Sequence, residues 1–398
     1  MIKQQVISAG QNGFVLMFVL VICVISIIIG AGLLVLDYNS RMLGIRSGTD
    51  IAARAAGDAA VADAVFQMNE KLKVKPWNDS SFPTASNTSL PGSDATYNYA
   101  VSKTDGVYNV TATGRASRSA RTVNCSLRLY SPFDYAVFTR GNLELKSNTT
   151  IDWYNNQPDD WPLQAGTAST ADGAISILNG ATVNGDVLVG AGGDPASVIS
   201  SSGTVTITGN TYPMMSNPEL PSITVPDWLA SMPDGGVIKK ASAFTTGKYS
   251  GITLGTNDSI IVSTPIVLYI TGDITLGNGA TIDVNGPNAS LTIYLEGNLE
   301  GKYASGFNNF TLDSKRLYIY CLDTCTSITL KNSADFRGAI YAPNATVDLD
   351  NSGNIYGSIV SSSFILRNAA NVYYDAALRD RTVSDEAVRF MIHRWSEN

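Results

Sequence analysis

Residues 134 to 375 repeat themselves on a period too short for any single copy to fold alone. Leu-Lys-Asn-Ser-Ala-Asp-Phe336, Leu-Asp-Asn-Ser-Gly-Asn-Ile355 and Leu-Arg-Asn-Ala-Ala-Asn-Val372 align at steps of 19 and 17 residues. A looser form has two apolar residues two apart, then Asn, Ser or Thr, then an apolar residue four further on. It runs through Leu143-Leu145-Ser147-Ile151, Ile175-Ile177-Asn179-Val183, Ile252-Leu254-Thr256-Ile260, Ile274-Leu276-Asn278-Ile282 and Phe310-Leu312-Ser314-Tyr318. A unit of this length cannot bury its own apolar face and must stack on its neighbours. Short strands between Asn and Gly turns predict a parallel β-helix, a solenoid, over 133–378. Asn179, Asn278, Asn332, Asn351 and Asn368 are expected as a ladder at one corner. The competing architecture is an antiparallel sandwich, which calls for uniform hairpin turns instead.

A second ladder supports the stack: Leu268-Tyr-Ile270, Ile293-Tyr-Leu295, Leu317-Tyr-Ile319 and Ile340-Tyr-Ala342. The repeat is broken over 212–236, where Pro213, Pro218, Pro221, Pro226 and Pro233 forbid central strands. This excursion is expected as a strap across the stack. An open stack end needs a cap, and residues 379–398 are expected to form a capping helix. Val383, Ala387, Phe390 or Met391, and Trp395 make its apolar stripe, and Thr382 with Asp385 resembles a capping box. His393 then falls on the polar side of that helix, as a surface residue.

The amino-terminal end is different in kind. Phe14 to Leu36 contains no charged side chain, and at about 1.5 Å per residue it is long enough to cross the roughly 30 Å of bilayer hydrocarbon. The run exceeds a signal-peptide core, and no small-x-small cleavage site follows it before Asp37. Ile51, Ala55, Ala59, Ala62, Phe66 and Leu72 recur near helical spacing and the first proline is Pro76, so one helix over 14–72 is expected. It would be about 90 Å long. Tyr97, Tyr99 and Val101 then alternate, Lys103-Thr-Asp-Gly106 supplies a turn, and Val107 to Thr113 returns. With a third run from Thr122 to Tyr130, residues 73–132 read as a small antiparallel β segment. Arg115, Arg118 and Arg121 on it are expected as a solvated face.

Gly13-Phe14 before an apolar helix resembles a type IV prepilin leader, and the whole of residues 10 to 130 is similar to the N-terminal region of PilX-type minor pilins. The resemblance rests on that junction, on Arg41 and Arg46 after the span, and on the Ala-rich stretch from Ile51 to Phe66. It implies a leader over 1–13 that a prepilin peptidase removes after Gly13, with methylation of the new amino terminus at Phe14. The sequence departs from the pilin pattern at the fifth mature position, where Phe18 replaces the usual Glu. That departure points to a minor subunit rather than a major one. Phe336-Arg-Gly-Ala-Ile-Tyr-Ala-Pro-Asn-Ala345 with Gly357 resembles the β-helical domain, of undefined biochemical role, often joined to such N-termini.

The implied class is α+β followed by all-β: a pilin-like helix with a small sheet, then a β-helix. The implied function is a minor pilin-like subunit of a type IV pilus or secretion pseudopilus, displaying the β-helix for surface adhesion or interaction. Its expected partners are other pilin or pseudopilin subunits, the prepilin peptidase, the bacterial inner membrane and surface glycans, with the bulk periplasmic or extracellular. The alternative is a permanently membrane-anchored envelope protein with a glycan-binding β-helix, or, further off, a polysaccharide-active enzyme.

Charge and residue usage narrow the chemistry. A formal net charge of −7, with 27 basic against 34 acidic residues and no basic block, argues against nucleic acid. The single histidine argues against histidine bases and multi-His metal sites. The carboxylates weighed for glycan chemistry, Asp152, Asp159, Asp160 and Asp172, and separately Asp348 and Asp350, do not repeat coil by coil. No enzyme activity, cofactor or metal site is expected. If the chain beyond the span is exported, Cys321 and Cys325 are spaced to close a short disulfide.

Overall fold

The computed structural model describes residues 12–154, 161–240, 244–331, 335–350, 353–367 and 369–397. They form two compact units. The smaller holds the helix through Glu70, Asn78–Arg128 and the C-terminal residues from Met391; the larger holds Lys71–Trp77 and Leu129–Phe390.

In the smaller unit, α1 (Asn12–Leu72) is one uninterrupted helix. A four-stranded antiparallel meander follows: β1 (Thr84–Ser89), β2 (Thr96–Thr104), β3 (Val107–Ala116) and β4 (Ser119–Tyr130). The β2–β3 connection is the turn at Asp105 and Gly106, both at positive φ, as a two-residue hairpin loop requires. The fifth strand of this sheet is the C-terminal segment Arg389–Glu397, next to β4.

That strand corrects the expected capping helix over 379–398. Only a short 3₁₀ turn, Ala376–Arg379, is helical there, and Thr382 and Asp385 close a turn, with the Thr382 N–H donating to Asp385 Oδ2. The apolar stripe at helical spacing was outweighed by the free edge of β4, whose backbone groups the returning chain can pair with. His393 accordingly lies exposed on a strand.

The face of α1 that meets the sheet is not the line of Ile51 and Phe66. Ala53, Ala56, Ala60, Val61, Ala64 and Met68 are buried, whereas Ile51 and Phe66 are 66% and 57% exposed. Small residues win the inner face because the helix and sheet come very close. A Cβ built on Gly114 of β3 would stand 2.0 Å from the Ala53 carbonyl oxygen and 2.3 Å from the Gly57 nitrogen. Arg121, expected as solvated, instead grips Asp50 of α1 through two hydrogen bonds of 2.7 and 2.8 Å.

The larger unit is a stack of short strands joined in parallel. Gly251–Leu254, Ile274–Leu276, Leu299–Gly301, Ser327–Lys331 and the distal part of Phe336–Asp350 pair successively in register. A second row runs through Gly247–Tyr249, Pro265–Ile270, Ser290–Leu295, Leu317–Cys321 and the proximal part of Phe336–Asp350. Ser259–Val262, Thr281–Val284 and Gly306–Asn309 form a third row. These pairings are not those of an antiparallel sandwich. The inward positions form one continuous apolar core from Ala136 to Tyr374.

The chain enters this stack in its middle. Asn354–Leu366 pairs on one side with Phe336–Asp350 and on the other with Val137–Thr139 and Leu143–Leu145, the first strands of the unit. From there the chain winds outward through Ile175–Ile177 to Ile199–Ser201. It must then return to the far end to begin at Val237. The proline-rich segment makes that return as a strap. Asn217 bonds with Ala168 and Ala191, the Leu220 carbonyl accepts from Arg140, the Pro221 carbonyl from Tyr341 at 2.7 Å, and Ser222 donates to Asp323. Leu229, in the short helix Asp227–Ala230, is its fully buried anchor.

Two repeat copies need correcting. Phe310 and Leu312 are 57% and 64% exposed; the core positions of that turn are Leu299, Gly301 and Phe307, in register with Ile274, Leu276 and Ile282. In the second ladder the third member is Ile319-Tyr320-Cys321, because Tyr320 pairs with Tyr294 and Tyr341. Of the expected asparagine ladder, Asn332, Asn351 and Asn368 lie outside the described residues. Asn179 Oδ1 accepts from the Thr204 N–H at 2.9 Å, and Asn278 contributes its carbonyl to the Asn257 N–H at 2.8 Å. A working side-chain ladder occurs elsewhere: Asp273 accepts from the Asn298 N–H, and Asn298 Oδ1 in turn accepts from Thr326 and Ser327.

Candidate functional site

The feature with the clearest physical demand on a partner is the first half of α1. Among the described residues this is the one helix long and apolar enough to cross a membrane. Among the described residues, its apolar side chains from Val15 to Leu36 are exposed and pack on no other element. Apolar surface on this scale is stable only in lipid or against other apolar helices. Gly13 and Phe14 both lie within α1, and Phe18 is exposed. Beyond the span, Arg41 pairs with Asp37 at 3.0 Å on an exposed surface. Ile51, Ala55, Ala62 and Phe66 continue an exposed apolar line down the helix, opposite the face that meets the sheet.

The larger unit carries a denser polar cluster where its chain enters and leaves. Tyr374 donates to the Phe133 carbonyl at 2.7 Å, and Arg381 donates to the Leu129 carbonyl and pairs with the buried Asp134. Nearby, Tyr294 donates to Glu386 at 3.2 Å, and Lys75 donates to the carbonyls of Val383 and Asp385. Burial raises the Glu386 carboxyl above its ordinary range, partly opposed by the Lys75 ammonium; burial likewise lowers Lys75. The Tyr294, Tyr320 and Tyr341 hydroxyls are all pushed far up by burial. These groups clasp the entry and exit segments of the larger unit.

Two arginine–aromatic groups lie on the same unit. Arg337 stacks between Tyr154 and Tyr356, at 4.5 and 4.2 Å from the ring centres, and Tyr356 stacks on Tyr373. Arg379 sits against Trp153, Trp161 and Tyr374. In both groups the ring faces already serve one another or the guanidinium.

The residues singled out for chemistry are dispersed. Asp152 accepts from the Trp153 N–H, Asp348 holds Arg367 through bonds of 2.7 and 2.8 Å, Asp172 is exposed, and Asp159 and Asp160 lie outside the described residues. The side chain of Asp350 is likewise outside them. Cys321 and Cys325 are buried neighbours and both are free thiols, so the bridge expected for an exported chain is not formed in the structure. The hydrogen bond with Cys325, together with full burial, holds the Cys321 thiol well above the ordinary thiol range.

Residues 247–381 match the model of a domain of unknown function, DUF7305. That range covers about a third of the chain and coincides with the second run of stacked strands, from Gly247–Tyr249 through Ala376–Arg379. Among solved structures, the competence-associated pilin ComZ from Thermus thermophilus aligns over 88% of this chain and 97% of its own, at 13% identity and a TM-score of 0.23. An alignment at that score carries no argument about fold or role. No curated protein matches the chain.

Proposed function

We propose that the chain is a minor pilin-like subunit of a type IV pilus or secretion pseudopilus. Its larger unit is a parallel β-helix displayed outside the inner membrane as a structural or adhesive head, without catalytic activity. The observation that carries this reading is α1. A single helix presents an apolar first half with no partner among the described residues, and a second half packed through Ala and Gly on an antiparallel meander. A membrane anchor alone needs only the first half. A helix that leaves the membrane and assembles with its like needs the second half rigid and a further apolar line along it, and Ile51, Ala55, Ala62 and Phe66 supply one. The leader is removed after Gly13 by a prepilin peptidase, leaving Phe14 as the methylated amino terminus. Phe18 cannot offer the charge that a carboxylate would bring to a neighbouring amino terminus, so the subunit does not repeat along a filament.

A photo-crosslinking residue in place of Phe66, in cells producing pili or a pseudopilus, tests the assembly face. Adducts with other pilin-type subunits are expected. Recovery of lipid adducts or uncrosslinked chain alone would favour a permanently anchored envelope protein.

A further inference from the structure

A shallow cleft of about 880 Å³ lies on the smaller unit. It is bounded by the β2–β3 turn at Asp105, by β3 and β4, and by His393 to Ser396 of the C-terminal strand. Asn109 is opposite Ser126 and Thr111 opposite Asn124, and these four alternate with the buried residues Val110 and Cys125. Their side chains therefore share one face of the sheet, with Thr111 donating to Asn124 Oδ1 at 3.0 Å. Ser126 also lines the cleft, and its Oγ has no hydrogen-bond partner among the described residues. Trp395 lines the same cleft and is 48% exposed, although an indole is a side chain that folding normally covers.

The combination selects a ligand class. Amides and hydroxyls both donate and accept, matching a surface of alcohol groups. An exposed indole offers an apolar plane to a ring's C–H face. The formal charges of Asp105 and Arg394 on the walls cancel, which leaves nothing to attract a polyanion or a polycation. The volume lies inside the roughly 300–1,000 Å³ of ordinary ligand sites. We infer that this cleft is a binding site for a neutral oligosaccharide. The site belongs to the stalk unit rather than the β head, and the inference does not depend on filament assembly.

Isothermal titration of the full chain in lipid nanodiscs, free of sugar detergents, tests it with cellohexaose, mannohexaose, chitohexaose and pentagalacturonate. At least one neutral hexamer is expected to bind, and the galacturonate is not. Trp395→Ala and Thr111→Arg should each weaken the neutral ligand at least tenfold, whereas Trp228→Ala, which removes an exposed indole from the larger unit, should leave it within twofold. Thr111 is exposed, so its replacement fills the cleft without disturbing the core and decides the matter if Trp395→Ala fails to fold. Failure of every neutral hexamer to bind, preference for the galacturonate, or less than tenfold loss in Thr111→Arg overturns the assignment. None of these outcomes bears on whether the leader is cleaved.

Discussion

At Gly114 the helix α1 and its sheet come together backbone against backbone. Any side chain there meets the Ala53 carbonyl at 2.0 Å, and neither backbone can yield without moving an element. Gly114→Val should therefore destabilise the smaller unit by at least the ~1–3 kcal/mol typical of overpacking. Gly48→Ala, on the same helix but with open space around it, should instead stabilise by up to ~1 kcal/mol through helix propensity. Thermal melts followed through the helix signal distinguish the two. Glu386 gives a pH-dependent counterpart. Its carboxyl is raised by burial, so the folded state favours the protonated form, and stability is lost as pH rises from the ordinary carboxylate range through the folded value. Glu386→Gln, which keeps an acceptor for Tyr294, should melt above the parent at pH 7.5 and level with it at pH 4. A variant that melts lower at pH 7.5 would mean that the attraction of Lys75 outweighs desolvation.

At the scale of elements, what was legible followed from periodicity, and what was not followed from tertiary choices. The inward residues Ile252, Leu254, Ile274, Leu276, Val347, Leu349, Phe364 and Leu366 announce themselves because successive parallel strands ask for the same apolar pair. The coil at Leu299 was invisible because Gly301 occupies a core position, which let Phe310 and Leu312 mimic the pattern from an exposed turn. The tyrosine ladder misread by two residues because Leu317-Tyr-Ile319 and Ile319-Tyr-Cys321 both fit it, and only pairing with Tyr294 and Tyr341 chooses. The C-terminal strand was missed for a related reason: a free strand edge outranks local apolar spacing. The strap makes a prediction of its own. The two runs of strands are joined directly where Asn354–Leu366 and Asn371–Tyr374 pair with Val137–Thr139, Leu143–Leu145 and Thr150–Trp153. A protease site inserted after Ser216 should therefore be cut without separating the fragments on native gels, although denaturing gels show two. Dissociation into free fragments on cutting would show that the strap, not the ladder, holds the runs together.

At the scale of the whole molecule, each unit is assembled from separated stretches of the chain. The meander of the smaller unit is interrupted after β4 and completed by the returning C-terminal strand Arg389–Glu397. Entry and exit are clasped together by Tyr374 to Phe133 and by Arg381 to Leu129 and Asp134. Sequence order alone hid the completed meander, because the completing strand lies some 260 residues beyond its neighbour and carries no mark of its partner. The junction at Gly13 and Phe14 was plain in the sequence, and on it the functional account depends. Mass spectrometry of the amino-terminal peptide, from full-length chain produced in cells carrying a prepilin peptidase and recovered from their surface, tests that account most directly. It predicts a peptide that begins at Phe14 with a methylated amino group. A mature chain that still begins at Met1 would contradict it.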